Sequence, residues 1–223
     1  MDTIFRGRLD APRGRALAWL DSLLVDHALL RLAWSNFAVV SPGRLYRSNH
    51  PTPGRLAALV RRHGIRSVIN LRGACGNGSD ALSREAAARL GLHFVDVPLR
   101  SRAAPPREGL LALAEAFRSL PGPVLVHCKS GADRTGLAAG VFLLLQGARA
   151  REALAQLAPR FGHLPRSRAG ILREVFLRYA AEAEGRKPFL AWLREDYDAA
   201  ALRRGFTGGG AFSRAGEKLL LRE

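Results

Sequence analysis

Cysteine is nearly absent from this 223-residue chain: only Cys75 and Cys128 occur, far apart and with no Cys or His near them at metal-ligand spacing. That excludes a disulfide scaffold and a zinc module and predicts a reducing compartment. Long apolar runs are missing as well, since no segment reaches the roughly 18 to 20 residues of a membrane span. The N-terminus carries Asp2 and Asp10 and lacks the apolar stretch and small-residue cleavage site of a secretion signal. The expectation is a soluble, cytoplasmic protein, with peripheral membrane contact left open. Acidic side chains are few, 19 against 35 Lys and Arg, for a formal net charge of +16. Such a balance favours anionic partners such as phosphates, nucleic acid or an acidic membrane, without choosing among them. No aromatic-rich sheet face or other nucleic-acid module is readable, so nucleic acid is the least favoured.

What is present suits one core: 48% of the residues are apolar, and the length leaves no room for two large domains. Residues 15–34 place Leu17, Leu20, Leu24, His27 and Ala28 on one helical stripe, with Asp21 and Asp26 elsewhere. That pattern predicts a helix packing its leucines on the domain; the alternative is a membrane-surface helix. From about residue 39, short β-branched runs alternate with helical patterns, the sign of βαβ units around a mostly parallel sheet flanked by helices. Val39–Val40, Leu45–Tyr46, Ser67–Leu71, His93–Val97 and Pro123–His127 read as strands. Helices are expected over Pro53–His63, from a Ser79 cap to Leu90, from Pro105–Pro106 to Leu120, and over Thr135–Gln146, Ala150–Ala158, Arg166–Ala183 and Pro188–Arg204. The resulting division is an N-terminal helical extension over 1–38, an α/β domain over 39–185, and a C-terminal helix with a loosely held tail over 186–223.

The chemistry lies where the apolar run Pro123–His127 passes through a short loop into the apolar helix after Thr135. Consecutive loop N–H groups, Gly131 at the bend and the positive end of the helix converge on a phosphate-sized point. A sulfur at the floor of that cradle is stabilised as thiolate, which makes Cys128 a nucleophile. Arg134, six residues on, can fold back and bind two phosphoryl oxygens with its planar fork. In-line attack then gives a phosphocysteine that water hydrolyses.

The run His127-Cys128-Lys129-Ser130-Gly131-Ala132-Asp133-Arg134-Thr135-Gly136 resembles the signature loop of the protein tyrosine phosphatase superfamily, and is similar to that of its small dual-specificity-like members. The likeness extends more loosely to Tyr46-Arg47-Ser48, Val68 to Arg72 and Val97-Pro98-Leu99, covering roughly residues 40–147. It implies a phosphatase-like fold, a phosphate loop made of His127 to Thr135, and a reaction needing no metal or other cofactor. It further implies that Cys128 is the nucleophile, Arg134 the phosphate clamp, Thr135 the hydroxyl that steadies the departing thiolate, and His127 the residue that orients the loop.

The proton donor is less plain. Family members commonly supply an aspartate about 30 residues before the cysteine, but here Arg100-Ser101-Arg102-Ala103-Ala104 has no carboxylate. Three candidates stand: Asp133, placed as in myotubularins; Asp96, at the familiar separation but within a strand; and Glu108, whose other role is to stabilise a helix N-terminus. Lys129 adds positive charge beside the nucleophile. Arg47, Arg72, Arg100 and Arg102 fall near strand ends and could line the rim. Cys75 could form a disulfide with oxidised Cys128, His163 reads as a packing or helix-end histidine, and Gln156 could position water. The expected partner is a phosphorylated protein, with tyrosine or dual specificity; a phospholipid or inositol phosphate is the alternative, and a non-catalytic phosphate-binding module the rival from another class. Oligomeric state is not readable.

Overall fold

Four-residue strands cannot bury an apolar face singly, so each β-branched run pairs with its neighbours and is roofed by the helices between them. A computed structural model describes residues 3–5, 7, 9–26 and 34–207. The strands are β1 (Ala38–Ser41), β2 (Leu45–Ser48), β3 (Ser67–Asn70), β4 (His93–Asp96) and β5 (Val124–His127). They form one sheet in the order β1-β2-β5-β3-β4, in which only the β1–β2 pair is antiparallel. The expected mixed α/β architecture is therefore present. Nine α-helices accompany the sheet among the described residues: α1 (Pro12–Leu20), α2 (Pro53–His63), α3 (Gly78–Arg89), α4 (Arg107–Ser119), α5 (Asp133–Leu145), α6 (Ala150–Leu154), α7 (Glu174–Glu182), α8 (Phe189–Glu195) and α9 (Ala199–Gly205).

β5 lies between β2 and β3, and its last residue is level with theirs: Ser48, His127 and Asn70 are register partners, with Asp96 beside Asn70. Alternation along β5 divides the interior. Leu125 packs with Tyr46, Leu56 and Val68 on one side, while Val124, Val126 and Cys128 join the larger core with α4, α5 and the C-terminal helices. Phe189, Trp192, Leu193, Tyr197 and Leu202 belong to that same larger core.

Several boundaries differ from the sequence-based expectation for local reasons. α5 begins at Asp133, two residues early, which brings Arg134 into its first turn. The cap of α3 is Asn77, whose side chain accepts from Asp80 N–H at 2.9 Å, while the Ser79 hydroxyl bonds that of Ser22. The stretch Arg166–Ala183 divides into a 3₁₀ segment, Arg168–Arg173, and α7; Pro188–Arg204 divides into α8 and α9 where Asp198 caps the latter. Ala150–Ala158 is helical only to Leu154.

The N-terminal helix is turned over relative to its expected orientation. α1 continues into one π-helical stretch, Asp21–Val25, and Leu17, Leu20 and Leu24 are exposed whereas Ala18, Asp21, Ser22 and Asp26 are buried. Polar bonds decide this. Asp21 accepts from Ile4 N–H (2.6 Å), Thr3 Oγ1 (3.0 Å) and Gly78 N–H (2.7 Å). Close approach is permitted by Gly78, where a Cβ would stand 2.2 Å from Ala18 O. His27 and Ala28 of the stripe, and the tail after Gly208, lie outside the described residues. No helix among the described residues is long and apolar enough to cross a membrane.

Candidate active site

The loop leaving β5 is shaped by what holds its carbonyls. His50 N–H donates to Lys129 O (3.1 Å), Asn36 Nδ2 to Ser130 O (3.0 Å), Arg47 Nη2 to Gly131 O (2.8 Å), and Gly136 N–H to Ala132 O (3.1 Å). With the carbonyls so tied, N–H groups are left to converge on an anion. Gly131 N–H donates to Cys128 Sγ at 3.3 Å, and Cys128 is only 2% exposed. Gly131 has φ +75°, and a Cβ there would lie 2.7 Å from Asn49 N. Two independent constraints therefore require glycine. Arg134 and Thr135 occupy the first turn of α5, where the helix N-terminus adds positive potential. Thr135 Oγ1 is buried and makes no hydrogen bond.

Arg47 is not at the rim. It is wholly buried beneath the loop, stacked 3.8 Å over the Phe161 ring. One guanidinium nitrogen donates to Gln156 O and Oε1 at 2.8 and 2.9 Å, and the other to Gly131 O. Burial pushes its pKa down to about 10; charge on Cys128 and Asp133 opposes that, and Arg160 reinforces it. It stays a cation at neutral pH. Gln156, a candidate for positioning water, accepts from Arg47 through its side-chain oxygen. Asn36, held at φ +47°, also bonds Phe161 O at 2.9 Å, so it ties the loop to the 3₁₀ turn Pro159–Phe161. The sequence offered no signal for Asn36; Arg47 stood in the Tyr-Arg-Ser motif, but its direction was not readable.

Of the carboxylates, Asp133 is buried and its Oδ1 lies 2.7 Å from Nδ1 of His163, itself wholly buried. Asp96 is taken up by Arg84 Nη2 (2.7 Å) and Asn70 Nδ2 (2.9 Å). It shares a sheet face with Asn70 and His127, opposite to that of Cys128. Glu108 is exposed in the first turn of α4. His127 is buried, with its ring edge-on to His50 at 4.7 Å. Lys129 Nζ stands 3.7 Å from Asp26, which also binds Arg72; Arg72 is thus buried rather than at an open rim. Arg100 is exposed and Arg102 half-buried in the turn after β4. Cys75 is exposed and Cys128 buried, and no disulfide joins them in this structure.

Comparison with known proteins follows the same outline. No curated protein matches the sequence. Among solved structures, a DUF442 protein of Shewanella putrefaciens CN-32 is 20% identical, with a TM-score of 0.52, over 70% of this chain and 97% of that one. Tk-PTP in its active form is 23% identical, with a TM-score of 0.50, over 67% and 98%. Both share the fold. TpbA of P. aeruginosa is 25% identical over 76% and 89%, with a TM-score of 0.49. The family described as PTP-SAK, the Swiss Army Knife protein DSP-PTPase phosphatase domain, matches residues 34–181. Because that match runs from the segment bearing Asn36 to α7 and takes in the whole sheet and its loop, the chain belongs to the PTP-SAK family of the protein tyrosine phosphatase superfamily and is a phosphomonoester hydrolase.

Proposed function

We propose that the protein hydrolyses phosphate monoesters through a phosphocysteine on Cys128. The observation that carries this is the buried sulfur at the floor of a loop in which the carbonyls of Lys129, Ser130, Gly131 and Ala132 are each bound by another donor. Cys128 Sγ attacks phosphorus in line, Arg134 and the loop N–H groups hold the equatorial oxygens, and the ester oxygen leaves with a proton. Asp133 supplies that proton: it adjoins Arg134 in the loop, with His163 2.7 Å from its Oδ1, whereas Asp96 lies on the sheet face opposite Cys128 and Glu108 is exposed at the start of α4. In the second step Asp133 takes a proton from water, the water oxygen bonds phosphorus, and the S–P bond breaks, with the buried Thr135 hydroxyl available to the departing thiolate.

Lys129 beside the nucleophile, with Arg72 on the same Asp26 carboxylate, favours a phosphate borne by an inositol or a phospholipid headgroup, where further negative charge is present. Phosphotyrosyl protein, the expectation from the loop resemblance, is the competing arm. The test is phosphate release in EDTA by wild type and Cys128→Ser from phosphotyrosyl and phosphoseryl peptides, phosphoinositides and phosphatidylglycerophosphate. Wild type should be active and the variant at least about 1,000-fold slower. Full activity in the variant would overturn the mechanism, and the preferred substrate decides the class.

A further inference from the structure

Beside the phosphate loop stands a charge cluster drawn from three parts of the chain. Asp26, which follows the π-helical stretch, is 3% exposed, and its two oxygens accept from both terminal nitrogens of Arg72 at 2.8 and 2.9 Å. Lys129 Nζ is 3.7 Å from Asp26 Oδ1. His50 joins the two cations, with Nδ1 3.1 Å from Arg72 Nη1 and its N–H on Lys129 O. A planar guanidinium gripping two oxygens, with an ammonium alongside, is the arrangement that also binds a phosphate. Among the described residues two cations face this carboxylate, and a phosphate dianion in its place would meet both.

Asp26 comes from outside the family-matched span of residues 34–181, whereas Arg72 and Lys129 lie within it. The N-terminal segment is fastened to α3 by bonds that involve no residue of the loop, Asp21 on Gly78 N–H and Ser22 on Ser79. Its carboxylate can therefore move off without unmaking the loop, whose carbonyls are held by His50, Asn36, Arg47 and Gly136.

We propose that Arg72 and Lys129 form a second anion subsite adjoining the Cys128 pocket, filled in the free protein by Asp26 as an internal stand-in. Substrates carrying a second phosphate displace it. This deepens the phosphatase reading and rests on the Cys128 loop being the site of the first phosphate. It also makes the N-terminal segment a competitor of the substrate, so Asp26 sets a threshold that monophosphates do not lower.

The probes are inorganic phosphate and inorganic pyrophosphate, titrated calorimetrically in EDTA into the full-length Cys128→Ser protein with and without Asp26→Asn. Pyrophosphate is suitable because Lys129 is the chain neighbour of Cys128. Asp26→Asn should tighten pyrophosphate by tenfold or more and phosphate by less than threefold, and adding Lys129→Met should erase the difference. Equal tightening of both anions, or none, would overturn the subsite. Gly78→Ala is a second route should Asp26→Asn fail to fold, as shown by its melting curve. A Cβ there pushes on Ala18 and lifts the segment while leaving Asp26, Arg72, Lys129 and His50 unsubstituted, and the same selective gain is expected. Hydrolysis of p-nitrophenyl phosphate by wild type separates the two readings. An inert wild type with a selective gain in the variant sinks turnover and keeps the subsite; an active wild type without that gain sinks the subsite alone.

Discussion

Arg47 shows how a single side chain buried beneath the Cys128 loop can fix that loop's shape. A buried cation is costly unless its donors are used, and here Gln156 O and Oε1 and Gly131 O take those of the two terminal nitrogens, while Nε has no partner among the described residues. The same bonds aim the loop, so Arg47 is a positioning residue. Lysine would keep the charge but lose the planar fork. Arg47→Lys should lower kcat on an aryl phosphate by roughly 10-fold and Arg47→Ala by about 100-fold, the order expected of a small misplacement of reacting groups. Steady-state kinetics with kcat and KM separated would check this, because a loss confined to KM contradicts loop positioning. Asp133 permits a sharper experiment, since a proton donor matters most for a poor leaving group. Asp133→Asn should slow hydrolysis of an alkyl phosphate about 100-fold or more, and that of p-nitrophenyl phosphate by less than about 10-fold. Equal losses on both would assign Asp133, with its His163 partner, to holding the loop instead.

Elements here are set by local signals wherever those signals meet no competitor. Thr52 caps α2, accepting from Arg55 N–H, and Gly64 closes it at φ +65°, so the helix keeps its expected bounds of Pro53–His63. α3 departs from expectation because Asn77 and Ser79 both offer a capping side chain, and Ser79 is drawn off by Ser22 from across the fold. Asn77→Ala should therefore cost about 1 kcal/mol, or about 2–4 °C in Tm for a protein of this size. Ser79→Ala should not reproduce a capping loss, and thermal melts of the two variants distinguish them. α1 departs further. Its leucine stripe has the periodicity of a packing face, yet the buried face is the one whose Asp21 carboxylate collects backbone N–H groups from two other segments. Periodicity reports hydrophobicity along one helix and is blind to polar partners brought by the fold.

At the scale of the molecule, the C-terminal helices complete the principal core rather than decorate it. Trp192 is almost fully buried, with the rings of Tyr179, Phe189 and Tyr197 at 5.5, 5.8 and 5.5 Å and its Nε1 donating to Glu182. Trp192→Ala should destabilise by about 3–5 kcal/mol, read as a lower urea midpoint at unchanged slope. The course of the Cys128 loop, its strand–loop–helix setting, the five strands and the α/β class could be read from sequence, because each depends on contiguous residues: a β-branched run, a glycine at a bend, an apolar helix. What only the tertiary structure decided are the pairings between distant segments: Arg47 on Gln156, Asn36 on Ser130, Asp133 on His163, and Asp26 on Arg72 and Lys129. The physical reason is that buried charges and hydrogen-bonding groups must find partners wherever the chain brings them, and nothing in the linear spacing of polar residues encodes which ones will meet.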